Sequence, residues 1–318
     1  MLPVLVVAGP TASGKSALAL RLAETLGGAI VNADSMQVYR ELRVLSARPG
    51  PEDEARAPHR LYGVLSARET CSAGRWRRMA LEAIAEADRM GRVPILVGGT
   101  GLYLRALMAG LAEIPEIPEG IRRDVRAHHV AMGQERFRAE LEALDPATAA
   151  RLDPREPQRH IRAMEVLRAT GKPISTWLSE TQAGEGWTRP TFVQLVMPAR
   201  EALIASCDAR FEAMMRDGAL EEAKAVAGMA LDPVLPATRA LGLRELMAHL
   251  AGDIALEDAV AAAKAATRRY AKRQVTWFRH QIRATNIVAP QHLDRQFLES
   301  FAAENLPIIR SFLLTHRA

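Results

Sequence analysis

The chain has 318 residues, of which 48% are hydrophobic, and its 42 basic and 37 acidic residues give a formal net charge of +5. This length and composition predict a globular protein with one large or two modest domains. No apolar run approaches the ~18 residues of a membrane span, and residues 1–8 do not resemble a signal peptide, so we expect a cytoplasmic protein without a membrane partner. Two distant cysteines, Cys71 and Cys207, predict neither a disulfide framework nor a zinc site.

A glycine-rich loop lies between the first two predicted elements, an apolar strand over residues 2–8 and a helix over residues 17–26. The loop consists of Gly9, Pro10, Thr11, Ala12, Ser13, Gly14, Lys15 and Ser16. In this strand-loop-helix context the pattern is typical of a phosphate loop, whose backbone N–H groups and helix N-terminus surround an anion. Lys15 would contact terminal phosphate oxygens, and Ser16 would hold Mg²⁺. The loop predicts a di- or triphosphate ligand without identifying its carrier; the alternative is a glycine turn before an ordinary helix.

A second apolar run, residues 29–32, is predicted to be a strand and is followed closely by Asp34. Ligands of an open parallel sheet lie beyond the carboxyl ends of its strands, so Asp34 is at the right level to face the phosphate loop. The alternative is that Asp34 caps a following helix. Residues 40–60 are polar and proline-rich without a clear period, and we predict a loop on the active-site side.

The next segments alternate between helical and strand patterns. Residues 74–90 and 102–111 have helical spacing, and residues 93–97 form a buried strand between them. This alternation predicts an α/β fold with a phosphate-loop NTPase-like parallel sheet core. The strand runs into Gly98, Gly99 and Thr100 rather than the acidic residue usual in ATPases, which argues against nucleotide hydrolysis.

Two stretches have the composition of linkers. Residues 113–120 are rich in proline and glutamate, and residues 183–186 are rich in glycine. Between them the sequence is mostly helical in spacing. We therefore predict a small helical insertion domain over residues 115–191, in a catalytic core formed by residues 1–114 and 192–318.

Arginines are frequent in the predicted helices of the insertion, residues 121–144 and 158–168. In the second helix Arg159 and Arg162 share an outer face at i, i+3 spacing. Two arginines on a helix usually form a solvated face, and the alternative is a contact with a nucleic-acid backbone.

The chain returns to the sheet at residues 192–197, which have the apolar content of a strand, and continues into a helix over residues 203–216. We predict that Ile204 and Phe211 of this helix face inward. Arg210 belongs to the same helix. It is either a surface arginine or, following a core strand, an arginine that closes over the phosphate site.

The last long helical pattern runs from residue 256 to about residue 283. Its basic residues are Lys264, Arg268, Arg269, Lys272, Arg273, Arg279 and His280, interleaved with Tyr270, Trp277 and Phe278. No acidic residue follows Asp258 in the helix, so we predict that these charges are unpaired within it. This combination is typical of a helix that contacts a nucleic-acid backbone. Residues from 286 onward have no chemical signature.

Five segments in order, residues 9–16, 33–40, 97–103, 158–166 and 267–278, make the sequence similar to the tRNA dimethylallyltransferases, also called tRNA isopentenyltransferases. The similarity covers nearly the whole chain. The zinc finger that eukaryotic members carry at the C-terminus has no counterpart here, so the resemblance is to the bacterial type.

The resemblance implies transfer of the dimethylallyl group of dimethylallyl diphosphate to the exocyclic amine of the adenosine 3′ of the anticodon, position 37. The substrates would be tRNAs that read codons beginning with U, with Mg²⁺ as cofactor and diphosphate as product. Asp34 would be the general base, and Thr100 would line the channel that the adenine enters. Arg210 would close over the leaving diphosphate. The implied partners are the tRNA anticodon stem-loop and dimethylallyl diphosphate, and we expect a monomer.

The resemblance also implies a set of tRNA contacts. They are Asp34, Ser35, Met36, Gln37, Thr100, Gly101, Arg122, Gln158, Arg159, His160, Ile161, Arg162, Arg239, Arg244, Lys272, Arg273, Gln274, Trp277 and Arg279. The sequence departs from the family pattern at Ser46 and at Leu243, where many members have a threonine-containing stretch and a tyrosine. Other classes that fit the phosphate loop are a small-molecule kinase, a tRNA-binding protein with a structural loop, and a transferase acting on free adenylate; the kinase leaves the insertion and the basic helix unexplained.

Overall fold

The structure, a computed structural model, describes residues 1–112, 114–180, 187–290 and 295–316. Its strands are β1 (Val4–Ala8), β2 (Gly28–Asn32), β3 (His59–Arg60), β4 (Val93–Gly98), β5 (Thr191–Val196) and β6 (Asn286–Val288). They form one parallel sheet in the order β3-β2-β4-β1-β5-β6, which confirms the predicted α/β class. The predicted linker at residues 183–186 lies outside the described residues.

Helices connect and flank the strands. In the first half of the chain they are α1 (Lys15–Leu26), α2 (Pro51–Arg56), α3 (Ala73–Arg89), α4 (Gly101–Met108), α5 (Glu119–Met132), α6 (Gln134–Leu144) and α7 (Pro146–Ala149). In the second half they are α8 (Pro157–Thr170), α9 (Ile174–Glu180), α10 (Arg200–Arg216), α11 (Ala219–Gly228), α12 (Leu243–Leu250), α13 (Leu256–Gln281) and α14 (Arg295–Thr315). A short 3₁₀ helix, Pro236–Arg239, precedes α12.

The register of the central strands brings two loops together. β1, β2, β4 and β5 are almost entirely buried, as near-continuous apolar runs in a parallel sheet should be. Ala8 at the end of β1 pairs with Gly98 at the end of β4, and on the other side with Leu195 of β5. The loops that follow β1 and β4 therefore begin side by side.

The core on one side of the sheet includes the C-terminal helix. Leu5 and Val7 of β1 and Leu18 of α1 pack in one buried cluster with Phe301 and Ile309 of α14. The tail for which the sequence gives no chemical signature thus supplies an edge strand, β6, and a helix of the core.

Two local predictions are wrong. The predicted loop over residues 40–60 contains α2 and β3, and neither is long enough to produce a readable period. Ile204, predicted to face inward, is 38% exposed, whereas Leu203, Cys207 and Phe211 form the buried stripe of α10. The stripe begins one residue earlier than predicted, and Phe211 is buried as expected.

The chain divides into two compact units, Met1–Leu107 with Thr188–Ala318, and Met108–Trp187. The sequence predicts the insertion over residues 115–191. The smaller unit consists of α5 to α9 around its own apolar cluster, which includes Val125, Phe137, Leu141, Ile161 and Met164. Within the described residues no helix combines the length and the apolar composition that spanning a bilayer requires.

Candidate active site

The loop after β1 is a tight turn that includes two residues with positive φ. Gly14, just before α1, has φ 81°, a left-handed conformation that glycine adopts without a steric penalty. Ala12 also has a positive φ, 59°. A Cβ on Gly9 would lie 2.4 Å from the carbonyl oxygen of Val196, so only glycine fits where the loop passes the end of β5. The first turn of α1 then presents its N-terminus to the loop.

Lys15 is held inside this loop. Its side chain is 8% exposed, and Nζ donates a hydrogen bond of 3.1 Å to the carbonyl oxygen of Pro10. Burial lowers the pKa of Lys15 to about 8; the negative charge of Asp34 acts in the opposite direction, and the positive charge of Arg210 adds to the decrease. Because no acidic side chain of the described residues lies within ion-pair distance of Lys15, a bound oxyanion would complete its environment.

A second cation comes from α10. The guanidinium of Arg210 donates a hydrogen bond to the hydroxyl of Thr11, and its pKa is lowered chiefly by burial. One turn earlier on the same helix, the Ser206 hydroxyl donates to the carbonyl oxygen of Ala12 at 2.9 Å. These contacts place Arg210 over the loop, which agrees with its predicted position rather than with a surface arginine.

Asp34 follows β2 and is oriented by its neighbours. The Asn32 side chain, fully buried, accepts the Asp34 N–H at 2.7 Å and donates to the Asp34 carbonyl oxygen at 3.0 Å. Asp34 Oδ1 accepts the N–H of Met36 at 2.9 Å, and no hydrogen bond engages Oδ2 within the part of the chain that the structure describes. No helix begins here, so the alternative of a helix cap is wrong; the carboxylate closes a turn instead. In the parallel sheet β4 lies between β1 and β2, so Asp34 and the phosphate loop leave the same edge of the sheet on either side of the loop after β4.

Thr100 contacts the segment that carries Asp34. Its hydroxyl accepts the Ser35 N–H at 2.9 Å and donates to the Ser35 hydroxyl at 3.3 Å. A Cβ on Gly98 would lie 2.1 Å from the carbonyl oxygen of Ala33, so the glycine permits this close approach. The structure therefore brings together the ends of β2 and β4, with Asp34 and Thr100 in adjoining segments.

Gln274 of α13 joins the two loops. Its Oε1 accepts the N–H of Thr11 at 2.7 Å, and its Nε2 donates to the carbonyl oxygen of Gly99 at 2.7 Å. The side chain is buried, at 6% exposure, so the structure gives it an internal role in place of the implied tRNA contact. One turn later the Trp277 ring lies against Gly101, where a Cβ would be 2.5 Å from ring atoms.

The outer face of α13 is cationic. Lys272, Arg273 and Arg279 are exposed, and none has an acidic partner within 4.0 Å among the described residues. Two earlier basic residues of the helix, also unpaired within it as predicted, have acidic partners on α10. Lys264 pairs with Glu212 and Arg268 with Asp208, each at 2.6 Å.

A groove of about 460 Å³ runs between α10 and α13. Arg200, Arg269, Lys272 and Arg279 line it together with apolar side chains such as Leu203, Ile204 and Val275. Leu203 and Val275 also belong to a small apolar cluster that includes Ala12 of the phosphate loop. The basic groove is therefore separated from the loop by one layer of side chains.

The residues of the smaller unit that are predicted to contact tRNA differ in their exposure to solvent. Gln158 and Arg159 are exposed, and Arg122 and Arg162 are partly buried. Arg159 pairs with Glu156, the residue just before α8, and Arg162 pairs with Glu165 of α8. His160 is 0% exposed and Ile161 is 7% exposed, so both lie in the core of this unit and neither presents a side chain to a ligand.

The remaining predicted positions lie in the larger unit. Arg239 and Arg244 are exposed, in and after the 3₁₀ helix. Leu243 is fully buried, so it cannot replace a surface tyrosine contact. The Ser46 hydroxyl donates a hydrogen bond to the Leu42 carbonyl oxygen, within its own loop.

Several residues that shape the site lie outside the sequence predictions. Asn32 and Ser206 orient Asp34 and the phosphate loop, and Glu222 of α11 binds the loop after Leu42. A polar residue at the end of an apolar strand was the available signal for Asn32. Nothing in the local sequence marks the other two, because their partners lie far away along the chain.

Mg²⁺ is compatible with the side chains around Ser16. Its hydroxyl is exposed at the start of α1, while the described residues contain no group of three His, Cys, Asp or Glu side chains that could form a metal site. Mg²⁺ commonly retains water ligands and binds substrate phosphates. The residues therefore fit an ion held jointly by Ser16 and a bound diphosphate, rather than one held by protein alone.

The fold and the site together define an α/β protein with a cationic, phosphate-type loop beside a carboxylate. A family model described as IPP transferase matches residues 37–281. A tRNA dimethylallyltransferase of Rhodospirillum centenum is 54% identical over 308 residues, covering 96% of this chain and 97% of that protein. Another, of Parvibaculum lavamentivorans, is 53% identical over 310 residues, covering 97% and 96%. The chain belongs to the IPP transferase family.

Solved structures are similar over almost the same length. The full-length tRNA isopentenylpyrophosphate transferase of Bacillus halodurans has a TM-score of 0.69 at 28% identity, covering 99% of this chain and 98% of that one. A eukaryotic dimethylallyltransferase acting on tRNA has a TM-score of 0.80 at 25% identity, covering 98% of this chain and 80% of that one. The resemblance found from five sequence segments therefore extends to the fold.

Proposed function

We propose that this protein transfers the dimethylallyl group of dimethylallyl diphosphate to the exocyclic amine of adenosine 37 in tRNAs that read codons beginning with U. The observation that carries the proposal is a cationic loop, containing Lys15 and covered by Arg210, that leaves the same edge of the sheet as the segment bearing the carboxylate of Asp34. Membership of the IPP transferase family and the names of the full-length relatives support the same reaction.

The phosphate loop is suited to a diphosphate leaving group. As the bond between the dimethylallyl carbon and the diphosphate oxygen breaks, its electrons move onto the diphosphate. Lys15 and Arg210, held at the loop by hydrogen bonds to the Pro10 carbonyl oxygen and the Thr11 hydroxyl, would neutralise that charge together with N–H groups of the loop. Mg²⁺, held by Ser16 together with phosphate oxygens, would supply further neutralisation of the leaving group.

Asp34 is suited to the role of general base. The amine of adenine is a weak nucleophile, because its lone pair is delocalised into the ring, and it must lose a proton as the carbon–nitrogen bond forms. Asp34 Oδ1 is engaged by the Met36 N–H, so Oδ2 would accept this proton. Thr100, in contact with Ser35, would line the path of the adenine.

The exposed cations favour RNA over a free nucleotide as the acceptor. Lys272, Arg273 and Arg279 lie on one helix without acidic partners among the described residues, and the groove between α10 and α13 adds Arg200 and Arg269. Such a surface suits the phosphates of an anticodon loop, whose unpaired bases are displaced from the stack at low cost. A cytoplasmic location would follow from a tRNA substrate.

A transfer assay tests the proposal. The protein is incubated with Mg²⁺ and dimethylallyl diphosphate labelled in its prenyl chain, with either tRNA or AMP as acceptor. We expect label in tRNA at adenosine 37, and none in a matched transcript carrying guanosine at that position. Label in AMP alone, or transfer of phosphate from ATP, would contradict the proposal in favour of an adenylate transferase or a kinase.

A further inference from the structure

The carboxylate of Glu222 is enclosed by three consecutive backbone N–H groups. Glu222 lies on α11, and its Oε2 accepts hydrogen bonds from the N–H groups of Arg43 and Val44, each at 2.7 Å. Its Oε1 accepts the N–H of Leu45 at 2.8 Å. Glu222 and residues 43–45 are about 180 positions apart in sequence, so the contact joins two distant segments of the chain.

The far side of the same loop fixes Gln37. The Gln37 amide nitrogen donates to the carbonyl oxygens of Ser46 at 2.9 Å and Ala47 at 3.0 Å. Because two carbonyl oxygens face it, this end of the amide must be the nitrogen, and both of its hydrogens are used. Among the described residues no hydrogen bond engages Gln37 Oε1, which can therefore accept one from a partner.

We propose that Glu222 is a positioning residue for RNA recognition: it fixes the loop of residues 43–47, and that loop orients the Gln37 amide toward tRNA. The inference rests on the proposed function, since Gln37 belongs to the segment implied to contact RNA. A carboxylate accepts hydrogen bonds but donates none, and charge-assisted bonds of this kind are stronger than neutral ones. No other ionised side chain of the described residues is bonded to these three N–H groups.

Asp34 is held independently of this loop. Its backbone is fixed by Asn32, and the neighbouring Ser35 is fixed by Thr100. Loosening residues 43–47 should therefore disturb RNA binding while leaving the reacting groups in place. If the loop and Gln37 must become ordered when tRNA binds, the entropy lost in ordering them weakens tRNA binding.

Glu222→Gln tests the inference, with Glu221→Gln as a matched control. Both substitutions remove one negative charge from adjacent positions of α11, but Glu221 is exposed and makes no bond to the loop. In Glu222→Gln an amide nitrogen replaces one acceptor oxygen and opposes N–H donors. We expect an increase of about tenfold in KM for tRNA at little-changed kcat, and no such change in the control.

Amide hydrogen exchange supplies a readout that does not depend on activity. The N–H groups of residues 43–45 should exchange about tenfold faster or more in Glu222→Gln, and at the wild-type rate in Glu221→Gln. If Glu222→Gln does not fold, Glu222→Asp replaces it, because the shorter side chain keeps the charge but cannot reach all three groups.

A double-mutant cycle with Gln37→Ala completes the test. If Glu222 acts through Gln37, the fold-increase in KM for tRNA of the double variant is smaller than the product of the two single fold-increases. Fold-increases in KM that multiply, a fall in kcat alone, or a Glu222 variant indistinguishable from the Glu221 control would overturn the inference. Absence of tRNA transfer by the unmodified protein would instead contradict the proposed function, while the exchange measurement would still report on the loop contact.

Discussion

At the scale of single residues, the charged side chains of the site do not form ion pairs with one another. Lys15 and Arg210 are both held at the phosphate loop by neutral oxygens, the Pro10 carbonyl and the Thr11 hydroxyl. Asp34 influences both cations without forming an ion pair with either. A direct salt bridge would satisfy the cations and occupy the base, whereas this separation leaves both available to substrates.

Asp34→Asn should abolish prenyl transfer while preserving tRNA binding. Asparagine retains an oxygen that accepts the Met36 N–H, so the turn is kept, but its amide cannot take a proton. We expect kcat to fall by about 10²- to 10⁴-fold, the usual contribution of a general base. Single-turnover transfer and filter retention of tRNA measure the two effects, and a fully active variant would remove Asp34 from the role of base.

Diphosphate affinity should decrease as the pH rises through about 8, the pKa of Lys15. The lowered pKa means that the free protein loses the ammonium near this pH, whereas a bound oxyanion favours the charged form. Protons are therefore taken up on binding at pH 8 and above. Calorimetric titration of inorganic diphosphate from pH 7 to 9 measures the effect.

Lys15→Met is the control for this pH dependence. In this variant the diphosphate still titrates but the lysine is absent, so the weaker affinity for diphosphate should vary less with pH. Equal pH dependence in the variant and the wild type would show that Lys15 does not titrate in this range.

At the scale of elements, α13 has two faces with different tasks. Its buried face carries Gln274, which bridges the loops after β1 and β4, and its outer face carries Lys272 and Arg279. The helix thus connects an exposed cationic surface to the backbone of the phosphate loop. The two faces can be tested separately.

Gln274→Glu should weaken diphosphate binding without weakening tRNA binding to a similar extent. The substituted carboxylate still accepts the Thr11 N–H but faces the Gly99 carbonyl oxygen and adds negative charge beside the anion site. We expect a loss of about tenfold or more in diphosphate affinity. Gln274→Met, which removes both bonds without adding charge, separates the two effects. If only the affinity for tRNA decreased, the result would support a direct contact between Gln274 and RNA.

Lys272→Gln and Arg279→Gln should weaken tRNA binding through electrostatics alone. A phosphate contact contributes about 0.9 to the slope of log K against log salt concentration for duplex and about 0.7 for single-stranded nucleic acid. Each substitution should therefore reduce the slope by at most about 1. Binding measured across a salt series checks this. Arg268→Gln, which removes a charge already paired with Asp208, should reduce the slope less.

At the scale of the whole molecule, the C-terminal helix belongs to the catalytic unit. Phe301, Ile309 and Leu313 of α14 pack with β1 and α1, the two elements that flank the phosphate loop. α14 therefore supports the scaffold of the site. The expectation of a monomer stays a prediction.

Ile309→Ala should destabilise the protein, whereas Ile308→Ala should not. Ile309 is fully buried and Ile308 is 53% exposed, although they are adjacent in sequence. A buried isoleucine truncated to alanine typically loses about 2–5 kcal/mol, and a surface substitution changes stability by about 0.5 kcal/mol or less. Chemical denaturation compares the two variants. Equal stabilities would show that α14 does not pack on the core.

The sequence by itself determined the features that depend on local pattern. The strand, glycine loop and helix around Lys15, the apolar central strands, and the position of Asp34 after β2 all follow from neighbouring residues. The short elements within residues 40–60 were not predicted, because two to six residues are too few to show a period. The five family-like segments then identified the reaction class from residues alone.

Only the tertiary structure decided which of the patterned residues face one another. Gln274 reaches Thr11 across 263 positions and Glu222 reaches Arg43 across 179, so no local spacing could indicate either bond. The burial of His160 and the pairing of Arg268 with Asp208 likewise depend on how helices pack. The physical reason is that a side chain's role is set by the partners that surround it, and folding brings these partners from distant parts of the chain.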